Sequence, residues 1–125
     1  MYKAFIVCID PSLSSNIPCG LAVLDDDGRV IRKCLDDTQR SGDMKEQQDI
    51  LFDQLLKPFN DVKYFVIVRS PTDLESIYYD RVINRWPGVV IITKCYRGPD
   101  WHARSDDVAE QVAKAVYTDY KPINQ

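Results

Sequence analysis

The apolar residues gather in a few unbroken runs. Phe5-Ile6-Val7-Cys8-Ile9 ends on Asp10 and is followed by Pro11-Ser12-Leu13; Gly20-Leu21-Ala22-Val23-Leu24 comes next, and Val30-Ile31 with Cys34-Leu35 supplies a third. Runs with no polar interruption predict strands buried on both faces. Asp27-Gly28, between the second and third runs, is a strong short-range hairpin signal. The runs at 3–10, 19–25 and 29–35 are therefore expected to form a meander. Asp10 then closes a central strand, where a charge is costly to bury unless something binds it.

Downstream the period changes. Asp43-Met44-Lys45-Glu46 has the spacing of a capping box, with Asp in the Ser/Thr role. Met44, Leu51, Phe52, Leu55 and Phe59 recur at helical spacing, and Pro58 should end that helix. Tyr64-Phe65-Val66-Ile67-Val68 is a further apolar run, expected to lie parallel to the first strand and beside it, ending at Arg69. Ser70 and Pro71 suit the N-cap and first position of a second helix. Its inward stripe is Leu74, Ile77, Tyr78, Val82 and Trp86 or Arg85, broken by Pro87-Gly88. Val89–Ile92 reads as the last strand, and Tyr96 to Arg104 as an irregular loop holding Trp101 and His102, the only histidine. Ser105 is expected to cap a final helix whose Val108, Ala109, Val112, Ala113, Val116 and Tyr120 share a face. No repeat or low-complexity tract interrupts this β-β-β-α-β-α-β-α order.

Composition narrows the class. At 125 residues, 45% apolar and 28% charged, the chain suits one soluble domain. No stretch approaches the roughly 18 apolar residues of a membrane span, so no membrane partner is expected. Met1-Tyr2-Lys3 leads straight into a strand, unlike a signal peptide. Cys8, Cys19, Cys34 and Cys95 lack CxxC spacing, and three lie in or beside apolar runs. They read as structural thiols in a reducing, cytoplasmic setting. A net charge of −3 argues against a protein whose whole surface tracks nucleic acid, but not against a local basic face. Phosphate-contact candidates include Arg32, Lys33, Arg69, Lys94, Arg97 and Arg104.

Ile9-Asp10-Pro11-Ser12-Leu13, then Gly20-Leu21-Ala22-Val23-Leu24-Asp25 and Gly28, resembles the opening of RuvC-type Holliday-junction resolvases. These belong to the RNase H-like superfamily and include phage members. The match covers about the first quarter of the chain, with a slightly longer stretch between Leu13 and Gly20. The resemblance implies an α/β RNase H-like fold: a mixed five-stranded sheet, antiparallel in strands 3-2-1 and parallel in 4 and 5, flanked by helices. It also implies a Mg²⁺-dependent endonuclease, with Mn²⁺ as a substitute, acting on branched DNA as a homodimer.

Hydrolysis of a phosphodiester by paired metals needs several carboxylates at one point, and hard cations favour oxygen donors. In the family the strand-end aspartate, here Asp10, is a metal ligand. The final helix carries Asp-x-x-Asp, matched here by Asp107-Val108-Ala109-Glu110. Residues three apart share a helix face. The helical wheel places Asp106 and Glu110 at the border of the apolar stripe and Asp107 further out, so Asp106 stands as a substitute ligand. Acids in a first helical turn also simply favour the helix dipole.

The pattern departs at the fourth strand, where family members carry a glutamate and this chain has Arg69. Glu75, ahead of Asp73, is the nearest candidate to replace it, and Arg69 itself suits a phosphate contact. His102 has a pKa suited to proton transfer near neutrality, or is simply an exposed loop residue. Trp101 and Tyr96 would stack on an unpaired base or cover the core edge. Two functions follow: the metal-dependent nuclease, and a catalytically inactive RNase H-like module that binds nucleic acid or protein. An actin-like sugar kinase, which the Asp10–Ser15 loop also suggests, needs two such domains.

Overall fold

Strand β1 (Tyr2–Asp10) contains no polar residue between Ala4 and Ile9, and every one of those six is buried. Such a strand is stable only where both faces are covered. It lies at the centre of a five-stranded sheet in a computed structural model of the chain, which describes residues 2–10, 19–36, 49–68, 75–96 and 104–122. The other strands are β2 (Cys19–Leu24), β3 (Val30–Asp36), β4 (Phe59–Val68) and β5 (Val90–Lys94), in the order β3-β2-β1-β4-β5. β1–β2 and β2–β3 pair antiparallel; β1–β4 and β4–β5 pair parallel. This is the expected mixed sheet, with Asp10 at the carboxyl end of its central strand.

The meander turns through Asp25–Arg29. Gly28 sits at φ 80°, in the left-handed region that favours glycine, and its amide donates to the Asp25 carbonyl at 3.0 Å. The Asp25 carboxylate accepts from the amides of Asp27 and Arg29, both at 2.9 Å. The connection is therefore a three-residue loop, Asp26-Asp27-Gly28, longer than a two-residue Asp-Gly turn. The extra residue appears as a register shift beside Val23 and Leu24.

Two cores flank the sheet. On one face Val7, Ile9, Leu21, Phe65 and Ile67 meet helix α1 (Glu75–Arg85) and a short π-helical turn, Leu51–Leu55. Phe52 and Trp86 stack about Phe65 with centroids 6.1 and 5.9 Å away. The Trp86 indole donates to the Phe59 carbonyl at 2.9 Å, so the residue after α1 is tied to the start of β4. On the other face Ile6, Cys8, Ala22, Leu24, Val66 and Val68 pack against Val108, Ala109, Val112, Ala113 and Val116 of helix α2 (Ser105–Tyr120).

Some boundaries differ from the sequence pattern. β4 begins at Phe59, five residues before the apolar run: Phe59 and Val62 are buried among exposed Asn60, Asp61 and Lys63, and a register shift opposite Tyr2 and Lys3 takes up the extra residue. β5 extends to Lys94, and α2 is capped by Arg104, with no side-chain cap bond. The capping box at 43–46 and the N-cap at Ser70 lie outside the described residues. Cys8 and Cys19 are buried, Cys34 is half-buried and Cys95 is exposed. Among the described residues no helix is long and apolar enough to cross a membrane.

Gly20 positions α2. A Cβ there would overlap the carbonyl group of Ser105 and the amide nitrogen of Asp106, both backbone and unable to swing aside. Gly20→Ala should lower stability by about 1–3 kcal/mol, the usual cost of overpacking a tight contact. Urea unfolding checks this; stability within about 0.5 kcal/mol of wild type, the usual range for a surface change, would contradict the contact.

Candidate functional site

Side chains alternate along a strand, so Asp10 shares the face of Ile6 and Cys8, which is the face covered by α2. Its antiparallel partner is Gly20. The missing side chain at Gly20 lets the first turn of α2 reach the strand end, where the Ser105 hydroxyl hydrogen-bonds the Asp10 carboxylate. Burial pushes the Asp10 carboxyl from an ordinary 3.8 up to about 6, against the opposing pull of the Ser105 bond. Ser105 is thus a partner of Asp10 rather than the helix cap.

The acids of α2 divide as the helical wheel suggests. Asp106 is 5% exposed, while the side chains of Glu110 and Asp107 are 23% and 47% exposed. Asp106 accepts two bonds from the Arg104 guanidinium, at 3.1 and 3.2 Å, and one from the Asp107 amide at 3.1 Å. It therefore satisfies an otherwise free helix N-terminal donor, which supports the helix-dipole role. Arg104, a candidate phosphate contact, is held by this acid, and the pairing raises its pKa further.

Asp107 and Glu110 meet on a lysine. Lys33 of β3 pairs across the sheet with Ala22, which places it on the α2 face. Its ammonium bonds Asp107 and lies 2.9 Å from Glu110. Lys114, one turn further along α2, holds the second Glu110 oxygen at 2.8 Å. Lys114 first and Lys33 second keep the Glu110 carboxyl below its usual range, and the two carboxylates raise the Lys33 ammonium.

The structure thus joins Asp10 to Ser105, and Asp107 to Glu110 through Lys33. Among the described residues it brings no three of His, Cys, Asp and Glu together as a metal-holding group. Arg69, Asp73, Arg97, Trp101 and His102 lie outside the described residues; Glu75 opens α1, with its side chain outside them. Lys94 ends β5, paired with Val68 next to the Ile9–Ile67 pair, so its backbone stands two strands from Asp10, about 10 Å at ordinary strand spacing. Beside it, Tyr96, Val112, Val116 and Asp119 line a groove of about 360 Å³.

The acids offer oxygen alone, the donor that hard cations prefer, and the Lys33 ammonium lies between two of them. Sequence reading missed Ser105 as a partner of Asp10, and Lys33 as a partner of Asp107, 74 residues away. Gly20 inside an apolar strand did carry a usable signal, since such a glycine often marks a close backbone approach. A scan against protein-family models finds no match, and a search of curated proteins finds no relative.

The raised Asp10 pKa fixes a pH dependence. The folded state holds this proton more tightly than the unfolded chain, so between about pH 4 and 6 folding binds protons and stability falls as pH rises. In chelator-treated buffer Asp10→Asn should therefore be more stable than wild type at pH 7, by about 1–2 kcal/mol after allowing for solvent screening. The difference should shrink as pH drops from 6 to 4. Denaturant melts at both pH values check it; a constant difference would contradict the burial argument.

Proposed function

We propose that this chain is a metal-dependent endonuclease of the RuvC-like, RNase H-like type, acting on branched DNA. The observation that carries the reading is the placement of Asp10. It ends the central strand of a β3-β2-β1-β4-β5 sheet, beneath a helix whose first turns carry Asp106, Asp107 and Glu110. Asp10, Asp107 and Glu110 would hold Mg²⁺ or Mn²⁺, with Asp106 as substitute and Glu75 as replacement for the strand-end glutamate. The bound metal would supply Lewis-acid stabilisation of the phosphodiester oxygens and a more acidic water.

The chain's own residues supply position and charge. The Ser105 hydroxyl orients the Asp10 carboxylate, and Gly20 keeps the helix close enough for that bond. Lys94, on the α2 face near the same strand ends, suits a phosphate next to the scissile one, and its groove can seat an unpaired nucleotide against Tyr96. Arg69, Arg97, Arg104 and His102 are further candidate contacts. A homodimer would present two such sites to the two strands of a junction.

A second reading is an RNase H-like module that binds nucleic acid or protein without cleaving it. Lys33 favours it, since Asp107 and Glu110 are charge-matched without a metal.

A labelled four-way junction distinguishes the two. Wild type with Mg²⁺ or Mn²⁺ should cleave it, and Asp10→Asn should lose cleavage at least about a hundredfold, the size of effect for a lost catalytic group, while still binding. Lys94→Ala should weaken binding and lower the salt slope by about one. Binding without cleavage under either metal would select the binding module.

A further inference from the structure

We propose that the groove between α2 and the end of β5 is a site for one unpaired guanine nucleotide of a DNA strand, held with its phosphate at Lys94 and its base edge at Asp119. The inference deepens the nucleic-acid reading above and rests on it for the source of the nucleotide.

The two sides of the groove differ in kind. The β5 side contributes Tyr96, half-buried and packed against the core beneath α2. The helix contributes Val112, Ala115 and Val116, and the exposed Ala115 between the two buried valines presents only a methyl group. An aromatic ring together with short aliphatic side chains suits a flat ligand, since every base has a face that stacks on tyrosine. A volume of about 360 Å³ is at the small end of ligand sites, which fits one nucleotide rather than a folded partner.

The polar groups stand at the ends. Gln111 and Asp119 are about 12 Å apart along the helix axis at the rise of an α-helix. Asp119 adjoins Tyr120, whose ring meets that of Tyr64, and Tyr64 pairs with Val90 at the start of β5. Lys94 closes the same strand, about 13 Å beyond Val90. Lys94 and Gln111 thus mark one end of the groove and Asp119 the other. Among the described residues neither the Lys94 ammonium nor the Asp119 carboxylate has an ion-pair partner, unlike Lys33, Lys114 and the acids they hold.

A nucleotide carries its anion and the hydrogen-bonding edge of its base at opposite ends, which matches an ammonium and a carboxylate so placed. The reverse orientation sets phosphate against Asp119 and is repelled. A carboxylate only accepts hydrogen bonds. Guanine alone among the DNA bases has two adjacent N–H donors, on N1 and N2, along its pairing edge. Adenine and cytosine offer one donor beside an acceptor, and thymine one donor between two acceptors. Asp119 therefore selects guanine, and only where guanine is unpaired, while Gln111 bonds sugar or phosphate.

Cys95 lines the groove and is exposed, so its alkylation, read by mass spectrometry, reports occupancy. The probes are short oligothymidine strands carrying one central guanine, adenine or cytosine, and dGMP alone. The guanine strand should slow Cys95 alkylation and bind at least about fivefold more tightly than the others, the lower end for a bidentate base contact. Asp119→Asn replaces an acceptor by a donor and should abolish that preference while strands still bind. Ala115→Phe, at an exposed position, should fill the groove and remove the protection with the circular dichroism spectrum unchanged.

Equal affinity for all strands, a guanine preference that survives Asp119→Asn, or Cys95 alkylation indifferent to the guanine strand overturns the site. Strand binding that persists in that case leaves the nucleic-acid reading standing. Protection by dGMP with no binding of any strand assigns the groove to a free nucleotide and overturns the DNA reading. Absence of binding by every probe overturns both.

Discussion

The close backbone approach at Gly20 decides what surrounds Asp10. Helices pack on sheets at a distance set by the side chains between them. At position 20 there is none, and the next residues inward on α2 are small: Ala109 and Ala113 are completely buried against the sheet. The helix therefore descends onto β2 at its first turn, and Ser105 reaches the end of β1. A side chain at Gly20 would lift that turn, separating Asp10 from its hydroxyl partner and Lys33 from Asp107 and Glu110. The opposite end of α2 is fastened independently, by the Tyr117 hydroxyl donating to the Asp26 carbonyl at 2.9 Å in the β2–β3 loop. The helix is thus held at both ends by the same hairpin.

With the helix in place, each acid solves its charge problem differently. Asp106, the most buried on α2, is clamped by Arg104 and by the helix's own amide. Asp107 and Glu110 share Lys33, and Lys114 reinforces Glu110. Asp10 has a hydroxyl but no basic partner among the described residues, and its pKa rises accordingly. A buried carboxylate in that condition is stabilised by a proton or by a cation, and perturbed groups of this kind concentrate at functional sites. The unmet charge is therefore greatest at Asp10, not at the acids of α2.

The fold was legible because its signals are local and redundant. Apolar runs without polar breaks located β1, β2 and the second half of β4, and Asp27-Gly28 located the turn between β2 and β3. The helical wheel of α2 set Asp107 further toward solvent than Asp106 and Glu110, as their exposures show. The first half of β4 was hidden because Asn60, Asp61 and Lys63 face solvent beside Phe59 and Val62, which resembles a loop. Ser105 has the chemistry of a cap, and only the tertiary seat of the helix redirects its hydroxyl to Asp10. Lys33 was visible as a basic residue, but its partners depend on strand register and helix placement together, and no local pattern encodes both. The metal assignment rested on likeness to a family, not on contacts that spacing alone can specify.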